Sequence, residues 1–177
     1  MNSARNVQCK DAEELWTDMP SIKLGAHLGI PMANNITITQ EKNAEEFLKI
    51  NHDLLYAKEA EYNLLLGLTE MAKNKSEDEQ KYFTLNQEDV IVGAACLTKM
   101  NLIVTAIAAP HLYSLVRHLQ KCEIKIPGVV GPAHTAEAFA QIWSQESGQS
   151  SRQTMNMKNF KLEQVTLPQN VPGRIIQ

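Results

Sequence analysis

The sequence predicts an α/β (α+β) fold, a mixed and largely antiparallel sheet with helices on its faces. Three observations predict it. Short apolar or β-branched runs of strand length recur along the chain, apolar residues at helical spacing lie between them, and three of the strand runs follow one another with only tight turns between. The bulk composition agrees. A chain of 177 residues with 44% apolar and 21% charged residues is that of one ordinary globular domain with at most a small appendage.

Residues 1–35 read as an N-terminal extension, partly irregular, and residues 36–177 as the folded domain. Within the extension, Asp11 to Glu14 has capping-box spacing ahead of Leu15, Trp16 and Met19, which predicts one short helix. Pro20 to Asn35 holds two glycines and two prolines without a period and reads as loop. Ile36 to Thr39 alternates β-branched residues as a short strand. Asn43-Ala-Glu-Glu46 opens a helix with a second capping-box pattern, and the helical pattern continues or restarts near Asp53. Ala57, Ala60, Leu64, Leu68 and Met71 step by three and four, which predicts one apolar stripe facing the core. Lys73 to Glu79 is a solvated, charge-rich loop.

Lys81–Leu85, Val90–Leu97 and Leu102–Ile107 are strands, joined by turns at Asn86–Asp89 and Thr98–Asn101, and this spacing predicts an antiparallel meander. Pro110 fits the first position of a helix whose apolar face is Leu112, Leu115, Val116 and Leu119. Gly128 to Gly131 is a short strand. Pro132 then opens a helix facing inward with Ala136, Phe139, Ala140 and Trp143, stopped by Ser147-Gly148. A last long strand is expected from about Arg152 to Val165, with a change of phase near Asn159 that implies a bulge, followed by an extended tail from Pro168 to Gln177.

Several function classes are disfavoured by the numbers. A net charge of −3 and a pI near 6.0 provide no field for nucleic acid. The longest apolar stretch, Leu102 to Pro110, is half the length of a membrane span, and Met1 to Asp18 has no apolar core of a secretory signal, so neither membrane nor export is expected. Cys9, Cys96 and Cys122 are an odd number at wide spacing, which suits a reducing, cytoplasmic compartment. Cys96 reads as a small buried hydrophobe.

The element order and five ordered strings resemble the N-terminal portion of bacterial two-part proteins of the GNAT acetyltransferase superfamily. The strings are Glu59-Ala-Glu-Tyr-Asn-Leu-Leu-Leu-Gly67, Asp89-Val-Ile-Val-Gly-Ala-Ala95, Pro127-Gly-Val-Val-Gly-Pro132 leading into Ala138–Trp143, Met155–Val165, and Val171-Pro-Gly-Arg174. The resemblance implies acetyl-CoA as cofactor, on that ground alone, and a second, cofactor-binding half after Pro-Gly-Arg. The chain stops three residues later.

GNAT enzymes hold the cofactor pyrophosphate on free backbone N–H groups at a helix N-terminus, with the pattern Arg/Gln-x-x-Gly-x-Gly/Ala. The equivalent junction here, Ala106-Ile-Ala-Ala-Pro-His111, has no glycine, no leading Arg or Gln, and a proline that removes one donor. Gln145 to Ser150 nearly fits the letters but lies at a helix C-terminus, where the dipole disfavours phosphate. Gly128 to Pro132 precedes a helix and reads first as a strand-to-helix turn. Glu88, Asp89 and Glu123 as acids, with Tyr62, Tyr82 and Tyr113 as donors, are the groups available for catalysis; all three acids sit at turns or element ends, and no catalytic or cofactor-binding residue is assigned. His111, His118 and Cys122 fall within about 40° on one helical face but border the apolar stripe, and no metal is expected. Arg152, Lys158 and Lys161 read as solvated positions without an aromatic platform. The leading expectation is therefore a GNAT-like half-domain that does not bind acetyl-CoA by itself and acts as a substrate-side or scaffold half. Its partner would be a second copy in a homodimer or a separate cofactor-binding half. The alternatives are an active acetyl-CoA-dependent N-acetyltransferase with a cradle at Gly128–Pro132, and an inactive remnant or protein-interaction module.

Overall fold

The computed structural model describes residues 35–73, 79–162 and 164. The expected helix at 11–19 and the tail from 168 lie outside the described residues. The elements run β1 (Ile36–Glu41), α1 (Ala44–Ile50), α2 (His52–Tyr56), α3 (Glu59–Ala72), β2 (Lys81–Gln87), β3 (Val90–Leu97), β4 (Leu102–Val104), α4 (Ala109–Lys121), β5 (Val129–Val130) and α5 (Ala133–Ser147). The five strands form one sheet in chain order. β1 to β4 are antiparallel neighbours and β5 lies parallel to β4. The mixed, largely antiparallel sheet with flanking helices is the α+β architecture expected.

Local chemistry sets the element ends. The Asn43 side chain accepts from the Glu46 amide at 2.9 Å, and Glu46 reaches back to the Lys42 amide at 3.4 Å, which starts α1. Glu88 and Asp89 both take positive φ, 49° and 65°, as a two-residue hairpin between right-twisted strands requires. At the end of α4, Glu123 has φ of 54° while the Ile124 amide returns to the Leu119 carbonyl, a Schellman closure. Gly148, with φ of 72°, stops α5. Both prolines sit one place away from the expected first helical position. Pro110 is second in α4 because Ala109 already has helical geometry, and Pro132 is the N-cap of α5.

Strand alternation divides the core in two. Phe83, Leu85, Ala95, Leu97, Leu102 and Val104 point to the face covered by α4 and α5, where Leu112, Leu115, Val116, Leu119, Phe139 and Ile142 meet them. Tyr82, Ala94, Cys96 and Ile103 point to the other face, against Phe47, Leu48, Leu55, Leu65 and Leu66 from α1 to α3. Each fully buried side chain of this size contributes roughly 1.5–3 kcal/mol relative to exposure. Cys96 is buried as expected, and its thiol also reaches Gln80 Oε1 at 3.2 Å. Among the described residues, no helix is long and apolar enough to cross a membrane.

Three expectations are corrected. The stripe Ala57, Ala60, Leu64, Leu68 and Met71 does not face the core; α3 buries Tyr62, Leu65, Leu66, Thr69 and Ala72, while Leu64 is 42% and Met71 62% exposed. The helix is apolar on both sides, and the buried stripe keeps helical spacing from Tyr62, where the backbone departs from helical geometry (φ −102°, ψ 16°). On α5 the buried set is Thr135, Phe139 and Ile142, with Ala136, Ala140 and Trp143 only half-buried. Finally, residues 149–162 form no strand. They carry no regular hydrogen-bonded structure and are exposed, because no neighbouring strand supplies a ladder for their alternation. The register shift occurs instead between Leu85 and Asn86 on β2.

Candidate functional site

The junction between β4 and α4 carries a row of backbone amides, most of which have partners inside the fold. The Thr105 N–H donates to the Ala94 carbonyl at 3.0 Å, and the Thr105 hydroxyl accepts from the Ala94 N–H at 3.0 Å. Ala106 N–H donates to the Tyr62 hydroxyl at 3.2 Å, and Ile107 N–H donates to the Thr135 hydroxyl at 3.4 Å. His111 and Leu112 both return to the Ala108 carbonyl at 3.0 Å, and Pro110 has no N–H. Side chains from α3 and α5 therefore occupy the Ala106 and Ile107 amides. Ala108 and Ala109 are exposed at its N-terminus.

The seam between β4 and β5 is equally closed. Leu102 pairs with Val129 and Ile103 with Val130, and the Leu102 N–H donates to the Gly128 carbonyl at 2.8 Å. A Cβ on Gly131 would lie 2.6 Å from the Val104 carbonyl oxygen, closer than real contacts allow. Gly131 is thus required for one backbone to lie against another, and the motif Gly128 to Pro132 serves strand packing and the entry to α5. Gln145 to Ser150 lies at the C-terminus of α5, where the Gly148 N–H returns to the Ser144 carbonyl at 3.0 Å.

The remaining candidate groups are dispersed. Glu88 and Asp89 form the β2–β3 hairpin tip and line a shallow polar hollow of about 470 Å³ with Asn35, Thr37 and Asn86. Glu123 closes α4 on the far end. Tyr82 is buried beside Phe47 and donates to Gln80 at 3.2 Å, while Tyr113 packs against the α4–α5 core. His111 Nε2 meets Gln87 Oε1 at 3.1 Å, and its Nδ1 is buried without a partner; burial lowers its pKa below the ordinary histidine value. His118 meets the ring of Phe83 edge-on and lies 3.8 Å from Cys122 Sγ. Burial, aided by the charge of Lys121, lowers its pKa too. Both imidazoles are favoured neutral. Among the described residues, no group of three or more His, Cys, Asp and Glu side chains is arranged to hold a metal ion. Arg152, Lys158 and Lys161 lie on the exposed segment after α5.

Two features had no linear signal. The first is a groove of about 540 Å³ on the α3 side of the sheet. Leu64 and Leu68 wall it on one side, Ile103 and Val130 form its floor, and the β3–β4 turn with Met100 closes one end. Its wall is the apolar stripe that the sequence assigned to the core. The second is a buried polar cluster beneath α1. Asn51, fully buried, donates to the Phe47 carbonyl at 2.9 Å and to the Thr84 hydroxyl at 2.8 Å, leaving its Oδ1 without a partner. Glu41 is buried beside Thr84. Burial raises its carboxyl pKa above the ordinary 4.5, the Thr84 hydroxyl opposes this, and the charge of Glu46 adds to it.

No family model, no curated protein and no solved structure matches this chain.

Proposed function

We propose that this chain is a GNAT-like acetyltransferase half-domain that does not hold acetyl-CoA by itself and serves as a substrate-side or scaffold half completed by another surface. The order of strands and helices, with β5 lying parallel to β4 after a three-strand meander, supports the likeness in architecture. The observation that carries the functional reading is the occupancy of the Ala106 and Ile107 amides by Tyr62 and Thr135. A pyrophosphate needs a row of unengaged donors with glycine-level backbone access. Here two of those donors are spent within the fold, a third is deleted by Pro110, and Gly131 is needed against β4.

The scaffold role follows from what the chain does present. The sheet is covered on both faces at β2 and β3, and its open groove adjoins β5, an edge strand beside which another surface could lie. Isothermal titration calorimetry with acetyl-CoA tests the reading. No saturable heat up to about 1 mM, a Kd equivalent to only about −4 kcal/mol of binding, is expected. A one-to-one isotherm with micromolar affinity would instead favour a working acetyltransferase.

A further inference from the structure

His111 and His118 lie seven residues apart on α4, about 10 Å along its axis, and both rest on β2. His111 Nε2 meets Gln87 Oε1 at 3.1 Å at one end of that strand. Further along it the His118 ring meets the Phe83 ring edge-on, with centroids 6.0 Å apart. Each contact suits a neutral imidazole. Gln87 Oε1 accepts the Nε2 proton of His111, which leaves Nδ1 as a buried lone pair without a partner. A second proton there would have no acceptor, and it would sit in the first turn of α4, at the positive end of the helix dipole. His118 Nε2 lies 3.8 Å from the Cys122 thiol, which can donate only to an unprotonated ring nitrogen.

Among the described residues, neither ring forms an ion pair with a carboxylate. α4 itself brings two cations, Arg117 and Lys121, and Lys121 acts against a charge on His118. From α5 come Glu146, held by Arg117 at 3.2 Å, and the exposed Glu137 and His134. β2 contributes the exposed Lys81, the β2–β3 turn the exposed Glu88 and Asp89, and β3 no charged residue. Glu41 of β1 lies beneath α1, on the other face.

We propose that His111 and His118 form an acid-released latch, closed on β2 while both rings are neutral and open when both are protonated. In the open state α4 lifts from the β1–β2 side of the sheet and uncovers Phe83 and Leu85, while Arg117 and Glu146 keep it tied to α5. The sign follows from burial, which depresses both imidazoles below the ordinary 6.5. The open state therefore binds protons more readily. The advantage of the closed state is complete above about pH 6.5 and is lost as pH falls through the two depressed values. The latch does not depend on the half-domain reading.

Amide hydrogen exchange of the full chain at about pH 7 and about pH 5, each normalised to the rates of an unstructured chain, tests the latch. A helix of 13 residues is marginal in water once its packed face is released. At the lower pH, protection at Leu115, Val116 and Leu119 is expected to fall at least about tenfold, while Leu65 and Leu66 in α3 keep theirs. Combining His111→Gln with His118→Gln removes both titrating groups and should preserve α4 protection in acid. His134→Gln, at an exposed ring, should leave the loss unchanged. Should the double variant not fold, the imidazole resonances of the wild type decide. Both are expected to titrate below 6.5, in step with the loss of α4 protection. An α4 that stays protected in acid, an equal loss in α3, a double variant as acid-sensitive as wild type, or rings that titrate at or above 6.5 would overturn the proposal.

Discussion

Against α4 and α5 the sheet presents Leu85, Leu97, Leu102 and Val104, and all four are buried. Against α1 to α3 it buries Tyr82, Ala94 and Cys96 at β2 and β3, but at β4 and β5 it presents Ile103 and Val130 beside helical residues that remain partly in water, Leu64 and Leu68. The two layers are built from similar helices, so composition does not explain the difference. Placement does. On the first face α4 reaches across to β1 and α5 lies on β5, so the two span the sheet, whereas on the second face α3 lies over β3. One face of the molecule is therefore a finished core and the other a core with one wall missing.

The sharpest way to break this comparison is to truncate one leucine on each side. Leu115→Ala on the closed face should cost about 3 kcal/mol and lower the melting temperature by on the order of 10 °C. Leu64→Ala on the open face should cost less than about 1 kcal/mol, since the side chain already meets solvent. Equal losses in thermal denaturation would mean that the groove is packed after all. Next in size is Gly131→Ala. Its methyl group would press on the Val104 carbonyl, so a loss of about 2 kcal/mol is expected. A neutral result would show that β4 and β5 separate more easily than their backbone contact implies.

The smallest expected effect lies beneath α1 and depends on pH. A carboxyl whose pKa is raised in the folded state binds its proton more tightly there than in the unfolded chain. Glu41 therefore subtracts stability progressively as pH rises through its ordinary value of 4.5 and on to its raised folded value. The melting temperature of Glu41→Gln, measured against wild type from about pH 4 to about pH 7, should gain relative to wild type as pH increases. A constant offset across that range would remove the burial argument.

These regions also differ in how far the sequence revealed them. Leu112, Leu115, Val116 and Leu119 announce the buried face of α4 because the opposite side of that helix is polar, so periodicity has one solution. In α3, Leu64, Leu65, Leu66 and Leu68 are consecutive enough to fit two faces, and packing against the sheet decides between them. Residues 152–162 alternate as a strand would, but a strand requires a neighbour, and periodicity carries no information about neighbours. The junction motif was legible in what it lacked, namely glycine and a leading Arg or Gln. Its actual chemistry was not, because Tyr62 and Thr135 reach Ala106 and Ile107 from 44 and 28 residues away. Such pairings belong to the tertiary structure alone.

The Ala106 and Ile107 amides are already satisfied inside the fold. Hydrogen exchange followed residue by residue by NMR measures it directly, in wild type and Thr135→Val, with and without acetyl-CoA. The Ile107 amide should be protected in wild type and exchange at least about tenfold faster in the variant, as expected for losing a hydrogen bond worth about 1.4 kcal/mol. Acetyl-CoA should leave the resonances from Ala106 to His111 unmoved. A fast-exchanging Ile107 amide in wild type, or shifts across that junction on adding acetyl-CoA, would contradict the account.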